Sequence, residues 1–209
     1  MRVEYLENCR VPTCSNSPIG PGATAEVFPT PVSAQNPGPG VFLYVHQGES
    51  ELLRFNLRTQ DVSRQHLTFG TELPVIRDDE VFTTSLNLFP VPTDGGFRQT
   101  LRIYDFDANP TSQIRVRIYD TQFGPSAAGN LLVEEIVTLA SPTPNGPDPE
   151  RPDRPGFGQR LDLVDLYPVL AGSQYVRIEI EPMTSGLRFW AFVSVTNNET
   201  QHVTTITPN

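Results

Sequence analysis

The residues best suited to hold an ion are three oxygen-bearing side chains at alternate positions of one segment, Asp105, Asp107 and Asn109. In a loop, alternate side chains can turn their oxygens toward one hard cation, and calcium takes about six to eight such ligands. The segment supplies at most half of that shell, and Pro110 replaces the next possible ligand. Two interpretations stay open: a calcium site, to which Asp78-Asp79-Glu80 could add oxygens, or an Asx-rich turn that binds its own backbone.

Three aromatic residues could form a platform for a sugar ring, Tyr104, Tyr119 and Trp190. Each lies in a segment that alternates like a β-strand, so their rings would project from a sheet. Aromatic residues on strands also pack in cores and across sheet surfaces. The pattern therefore allows a polysaccharide-binding face and a purely structural role.

The only two cysteines, Cys9 and Cys14, are separated by four residues in CRVPTC. An even number at close spacing indicates a small disulfide loop formed in an oxidising compartment, with two free thiols as the alternative. A metal site would need two further ligands, and the nearest histidine in the sequence is His46. We expect a disulfide.

Catalytic motifs are absent from the sequence. There is no Gly-x-Ser-x-Gly elbow, no phosphate-binding glycine loop and no His-Glu-x-x-His. A pair of carboxylates could serve a glycosidase, but nothing singles out one pair in an acidic chain. The sequence therefore predicts a protein that is not an enzyme and needs no cofactor, calcium being the one ion considered.

The overall composition excludes several partners. The chain has 209 residues with a formal net charge of -9, and all its basic residues are arginine. An acidic chain without a lysine-rich patch is poorly suited to nucleic acid or to anionic membranes. No apolar run approaches the roughly 18 residues of a membrane-spanning helix, so we expect no membrane insertion.

The body of the chain alternates apolar and polar residues with a period of two, which is typical of strands with one buried face. Residues 97–104, 114–118 and 176–181 are clear cases, and residues 187–195 place Leu187, Phe189, Ala191, Val193 and Val195 in one row. Turn signals recur every ~8–15 residues. The fold class predicted is all-β: an antiparallel two-sheet β-sandwich, Ig-like or jelly-roll-like.

The outward positions of these strands carry arginine and glutamate, which we expect to pair across strands. A short helix is predicted within Leu161–Leu170, limited by Pro168. The tetrapeptide Arg-Ile-Tyr-Asp occurs at 102–105 and 117–120, which favours neighbouring strands of one hairpin.

The predicted organisation has two parts. Residues 1–40 form an extended Pro/Gly-rich N-terminal arm with the Cys9/Cys14 loop, and residues 41–209 form the sandwich with a Pro-rich loop at 141–159. The arm is either a linker or a segment that docks on another copy as an added strand, with Val27 and Phe28 as apolar anchors.

The segments FRQTLRIYDFD (97–107), IRVRIYD (114–120) and VRIEIEPMTSGLRFWAFVSVTNNETQHVTTITP (176–208) carry a resemblance. Residues 72–209 resemble a module of uncharacterised secreted bacterial β-sandwich proteins that share the GLRFWAFVSVTNN-type segment. The resemblance implies an extracellular β-sandwich, with no established activity and no catalytic residues to carry over.

These observations predict a secreted, non-catalytic structural or interaction protein of the cell surface or extracellular space. It would self-assemble as a homo-oligomer when the arm or the C-terminal strand pairs with the sheet edge of another copy. The alternative is a carbohydrate-binding module, assisted by calcium, with polysaccharide as the partner.

Overall fold

The computed structural model describes residues 2–5, 16–18, 43–45, 57–59, 71–106, 111–121, 129–139 and 160–208. Nearly all of the regular structure in these residues is β-strand. The strands are β1 (Arg2–Tyr5), β2 (Asn16–Pro18), β3 (Leu43–Val45), β4 (Leu57–Thr59), β5 (Thr71–Leu73), β6 (Leu86–Pro92), β7 (Phe97–Asp105), β8 (Gln113–Asp120), β9 (Asn130–Thr138), β10 (Arg160–Asp162), β11 (Tyr175–Pro182), β12 (Phe189–Asn197) and β13 (Val203–Ile206). The chain divides into two compact units, Met1–Phe55 and Asn56–Asn209.

In the first unit, β1 pairs antiparallel with β2 on one side and with β3 on the other. Two of these strands come from the predicted arm and one from the predicted sandwich. The division between the units lies at Phe55 and Asn56, and the organisation into an arm of residues 1–40 and a sandwich of residues 41–209 stays a prediction. Long-range strand pairing, which local composition does not encode, draws the start of the chain onto β3.

Two antiparallel four-stranded sheets form the second unit, as predicted for a β-sandwich. Sheet I has the strand order β10-β7-β12-β13, and sheet II has the order β6-β11-β8-β9. A further two-stranded sheet joins β4 to β5. Of the helices in the described residues, none has the length and apolar character needed to cross a membrane.

The core lies between the inner faces of the two sheets. Strand β12 contributes the predicted apolar row, and Phe189, Ala191 and Val193 in that row are fully buried. The inner face of sheet II contributes alternate residues of β8 and β11 to the core, among them Val116 and Ile178. This alternation follows from the pleat, which turns successive side chains to opposite faces.

The chain crosses between the sheets twice in succession, from β6 in sheet II to β7 in sheet I and then to β8 in sheet II. The hairpin prediction for the repeated Arg-Ile-Tyr-Asp is therefore wrong, because β7 and β8 do not pair. The N–H of Phe106 instead donates to the carbonyl of Arg188 (2.9 Å), which holds the end of β7 on sheet I.

The segment predicted as a helix begins as strand β10, followed by one α-helical turn, α1 (Leu163–Leu166), and a 3₁₀ turn (Pro168–Gly172). Leu163 and Leu170 are fully buried in the core, whereas Leu166 is 53% exposed. The helix type changes at Pro168, so the segment contains two short turns and no continuous helix.

Candidate interaction surface

Asp105, the first residue of the predicted calcium segment, ends β7 opposite Phe189 of β12. It is 2% exposed, on the same face of the strand as Leu101 and Ile103. Asp107 and Asn109 lie outside the described residues. The structure therefore places one of the three predicted ligands, and it places that one inside the sandwich.

The second acidic segment, Asp78–Glu80, forms a 3₁₀ turn. The carboxylate of Glu80 accepts a hydrogen bond from the N–H of Arg77 (2.8 Å), so this side chain closes its own turn. In the part of the chain that the structure describes, no group of three or more His, Cys, Asp or Glu side chains is arranged to hold a metal ion.

Two of the three predicted platform residues, Tyr104 and Trp190, meet on the outer face of sheet I. Phe192 joins them, with its ring parallel to that of Tyr104 at 6.1 Å and 5.4 Å from that of Trp190 between centroids. Trp190 is only 6% exposed and Phe192 only 5%. Burial raises the pKa of the Tyr104 hydroxyl above its usual value, an effect that neighbouring Arg102 opposes. This cluster is packed and leaves little ring surface for a sugar.

The third predicted ring, Tyr119, lies on β8 in sheet II, away from the other two. The guanidinium of Arg177 on the neighbouring strand β11 stacks over it, 4.1 Å from the ring centroid. A guanidinium in this position interacts with the π-face and covers it. The structure does not bring Tyr104, Tyr119 and Trp190 together into one surface.

The outer face of sheet II carries a charge network, which confirms cross-strand pairing with glutamate for two of the arginines, Arg115 and Arg117. Arg117 on β8 donates to Glu179 on β11 (2.8 Å) and to Glu134 on β9 (2.7 Å). Arg115 donates to Glu181 (2.9 Å) on the same face. Arg177 completes the network, since it donates to Glu179 (3.1 Å) and to Asn87 on β6 (2.6 Å).

The electrostatic effect of this network is clearest at Glu134. The hydrogen bond from Arg117 holds the pKa of the Glu134 carboxyl below its usual value. Glu134 and Glu179 in turn raise the pKa of Arg117, mainly through the hydrogen bonds that its guanidinium donates to them. Two further arginines at alternating positions, Arg98 and Arg102, lie on β7 in sheet I, where Arg98 donates to Gln201 (2.9 Å).

Strand β9 forms one edge of sheet II, and among the described residues it pairs only with β8. Glu135 stands opposite the buried Val116, so its carboxylate projects to the inner side of the edge. There it accepts a hydrogen bond from the hydroxyl of Tyr167, between α1 and the 3₁₀ turn. Burial and this contact with a carboxylate raise the pKa of Tyr167. The contact joins β9 to the segment Leu163–Gly172.

Four apolar side chains of β9 and of the segment Leu163–Gly172 are each more than half exposed. Leu131 (51%) and Ile136 (53%) project from β9 on the outer side, opposite Tyr119 and Arg115. Leu166 (53%) and Val169 (54%) lie one and two residues from Tyr167 in the sequence. We call these four residues, together with the edge of β9 that has no strand partner among the described residues, the β9 surface.

Sequence reasoning missed the β9 surface, although one signal for it was present. Glu135 lies at an alternate position with Val133 and Val137, so the alternating pattern places its side chain on the same, inward face of the strand. Trp190 and Phe192 are likewise two residues apart, so a strand places their rings on the same face. The predicted disulfide residues Cys9 and Cys14 and the anchors Val27 and Phe28 lie outside the described residues.

Comparison of the whole chain with protein-family models, with curated proteins and with solved structures finds no match.

Proposed function

We propose that this chain is a secreted, non-catalytic interaction protein of the cell surface or extracellular space that assembles with copies of itself. The observation that carries the proposal is the β9 surface, where four large apolar side chains are each more than half exposed. Large exposed apolar side chains beside polar ones are a common feature of protein-binding sites. Leu131 and Ile136 lie on the same outer face of sheet II as the charge network, whose members bind one another.

The extracellular location is supported by different features. Two closely spaced cysteines in a chain without further thiols favour an oxidising compartment. The resemblance of residues 72–209 to secreted bacterial modules points the same way. Selective alkylation would test the first argument, because Cys9 and Cys14 should react only after reduction.

The proposed assembly is tested by light scattering and negative-stain microscopy of the full-length protein over a range of concentrations. Deletion of residues 1–40 is unsuitable, because it would remove β1 and β2 from the sheet of the first unit. The informative variant replaces the arm anchors with aspartate, Val27→Asp together with Phe28→Asp. Val32→Asp in the same arm is the matched control.

We expect concentration-dependent oligomers for the wild type and for the control. The double variant should dissociate at least about tenfold more readily, because two apolar contacts would become charged. A wild-type protein that stays monomeric at every concentration would remove the proposal.

The alternative of carbohydrate binding has less support from the described residues. Trp190 is buried and Tyr119 is covered by Arg177, so neither offers an open ring to a sugar. Carbohydrate binding would be supported if the wild-type protein bound to a panel of polysaccharides and the Trp190→Ala variant did not.

A further inference from the structure

The four edges of sheets I and II differ in how open they are to another strand. Strand β6 contains Pro90 and Pro92, which lack the N–H needed for pairing. Strand β10 has three residues and β13 has four. Strand β9 has nine residues and no proline. Among the described edges, β9 is therefore the one that offers a long row of backbone groups.

The charges on β9 disfavour pairing with the same strand of a second copy. An antiparallel pairing that overlaps the whole of Asn130–Thr138 is centred on Glu134, which would then stand opposite Glu134 of the other copy. Like charges directly opposite each other are destabilising. The irregular pairing with β8 between Ile118 and Tyr119 further disturbs the strand near Leu131. A different strand is the better partner.

The carboxylates of Glu134 and Glu135 already accept hydrogen bonds within the chain, which defines the chemistry of that partner. Glu134 is bound by Arg117, and Glu135 accepts from Tyr167. An incoming strand therefore needs no basic residues. It needs free backbone N–H groups and apolar side chains, which can cover Leu131 and Ile136 on the outer side and pack near Tyr167 on the inner side.

The predicted arm contains one segment with these properties. Residues 22–28, Gly-Ala-Thr-Ala-Glu-Val-Phe, are the longest stretch without proline between residues 15 and 40, and they carry one charge, at Glu26. In an extended strand, Val27 and Phe28 project to opposite faces. One of them would reach the outer side of the edge, where Leu131 and Ile136 lie, and the other the inner side, where Tyr167 contacts Glu135.

We propose that the β9 edge is the acceptor site for residues 22–28 of a second copy, which would add to sheet II as a fifth strand. The proposal rests on the proposed self-assembly and assigns its acceptor. Backbone hydrogen bonds along β9 supply affinity, and the four apolar side chains of the β9 surface supply selectivity.

The test uses the full-length chain with the substitution Ile136→Glu. Arg115 stands opposite Ile136 on β8, so the new carboxylate has a partner within the sheet and the fold should persist. Met183→Glu is the matched control, since Met183 is 40% exposed and lies outside the β9 surface. Assembly is measured by light scattering, and amide hydrogen exchange of residues 133–138 is compared between dilute and assembled protein.

We expect Ile136→Glu to weaken assembly at least about tenfold while Met183→Glu assembles like the wild type. Exchange of the β9 amides should slow as the wild type assembles. Oligomers that survive Ile136→Glu with unchanged β9 exchange would overturn the acceptor assignment and leave self-assembly standing. A wild type that never assembles would overturn both.

Discussion

Two glycines close to strand ends have a positive φ, which constrains what can replace them. Gly129 directly precedes β9 and has a φ of +59°. A Cβ at this position would overlap the carbonyl oxygen of Asp120. Gly186, before β12, has φ of +76°, but a Cβ there would meet no atom within 4 Å. Both glycines have a left-handed backbone conformation, but only Gly129 lacks space for a side chain. Substituting each one therefore distinguishes the effect of backbone strain from that of steric overlap.

We expect Gly129→Ala to lower the free energy of unfolding by more than about 2 kcal/mol, because backbone strain and overlap act together. The control, Gly186→Ala, carries only the backbone strain and should cost about 1 kcal/mol. Urea unfolding followed by circular dichroism measures both. Equal losses would show that the backbone around Gly129 relaxes to admit the methyl group.

Arg117 is the residue that joins three strands of sheet II, since its guanidinium reaches Glu179 and Glu134 on the strands to either side. Arg115 bonds to one neighbouring strand through Glu181. Because Arg117 binds both neighbouring strands and Arg115 only one, we expect their replacement to have different effects on stability.

Arg117→Met should lower the thermal unfolding midpoint more than Arg115→Met at neutral pH, because it breaks ion pairs with the strands on both sides and leaves Glu134 without the arginine that binds it. The pKa of Glu134 is lowered in the folded protein, so its contribution is present above the usual carboxyl pKa and is lost as pH falls through the lowered value. The wild type should therefore lose its advantage over Arg117→Met in acid. An advantage that persists at about pH 2 would contradict this account.

At the scale of elements, β9 shows how an edge strand is held in place. Its inward Glu135 and its irregular pairing near Leu131 are features that discourage indiscriminate strand addition. The hydrogen bond from Tyr167 fixes the segment after β10 against this edge. The edge is therefore shaped on its inner side by an element that is distant in sequence.

Tyr167→Phe tests this contact, and we expect a loss of about 0.5–1.5 kcal/mol of stability at neutral pH from the missing hydrogen bond. The pKa of Tyr167 is raised in the folded protein, so its contribution is present below the usual tyrosine pKa and declines as pH rises above it. The gap between wild type and variant should narrow above about pH 10. A constant gap in urea unfolding across this range would show that the hydroxyl is not involved.

For the whole molecule, period-two alternation was sufficient to predict the strands and the two-sheet fold. The inward row of β12 and the outward arginines of β8 lie where that pattern puts them. The assignment of strands to sheets was not predictable, because β7 and β8 are close in sequence and belong to different sheets. Strand pairing depends on distant partners, which local alternation does not specify.

The candidate site was less predictable for the same reason. Tyr104 and Tyr119 occupy equivalent places in a repeated tetrapeptide, yet they project from opposite outer faces of the sandwich. The β9 surface depends on a contact between Glu135 and Tyr167, and these two residues are brought together only by the packing of the segment after β10 against the edge.

Trp190 is the only tryptophan in the chain, and it is packed against Tyr104 and Phe192 on sheet I. Its fluorescence is therefore a built-in reporter of one sheet, free of signal from any second indole. Emission from a buried indole should shift to longer wavelength when water reaches it. Comparing that shift with the circular dichroism of all strands would reveal whether the two sheets of the sandwich melt in a single step.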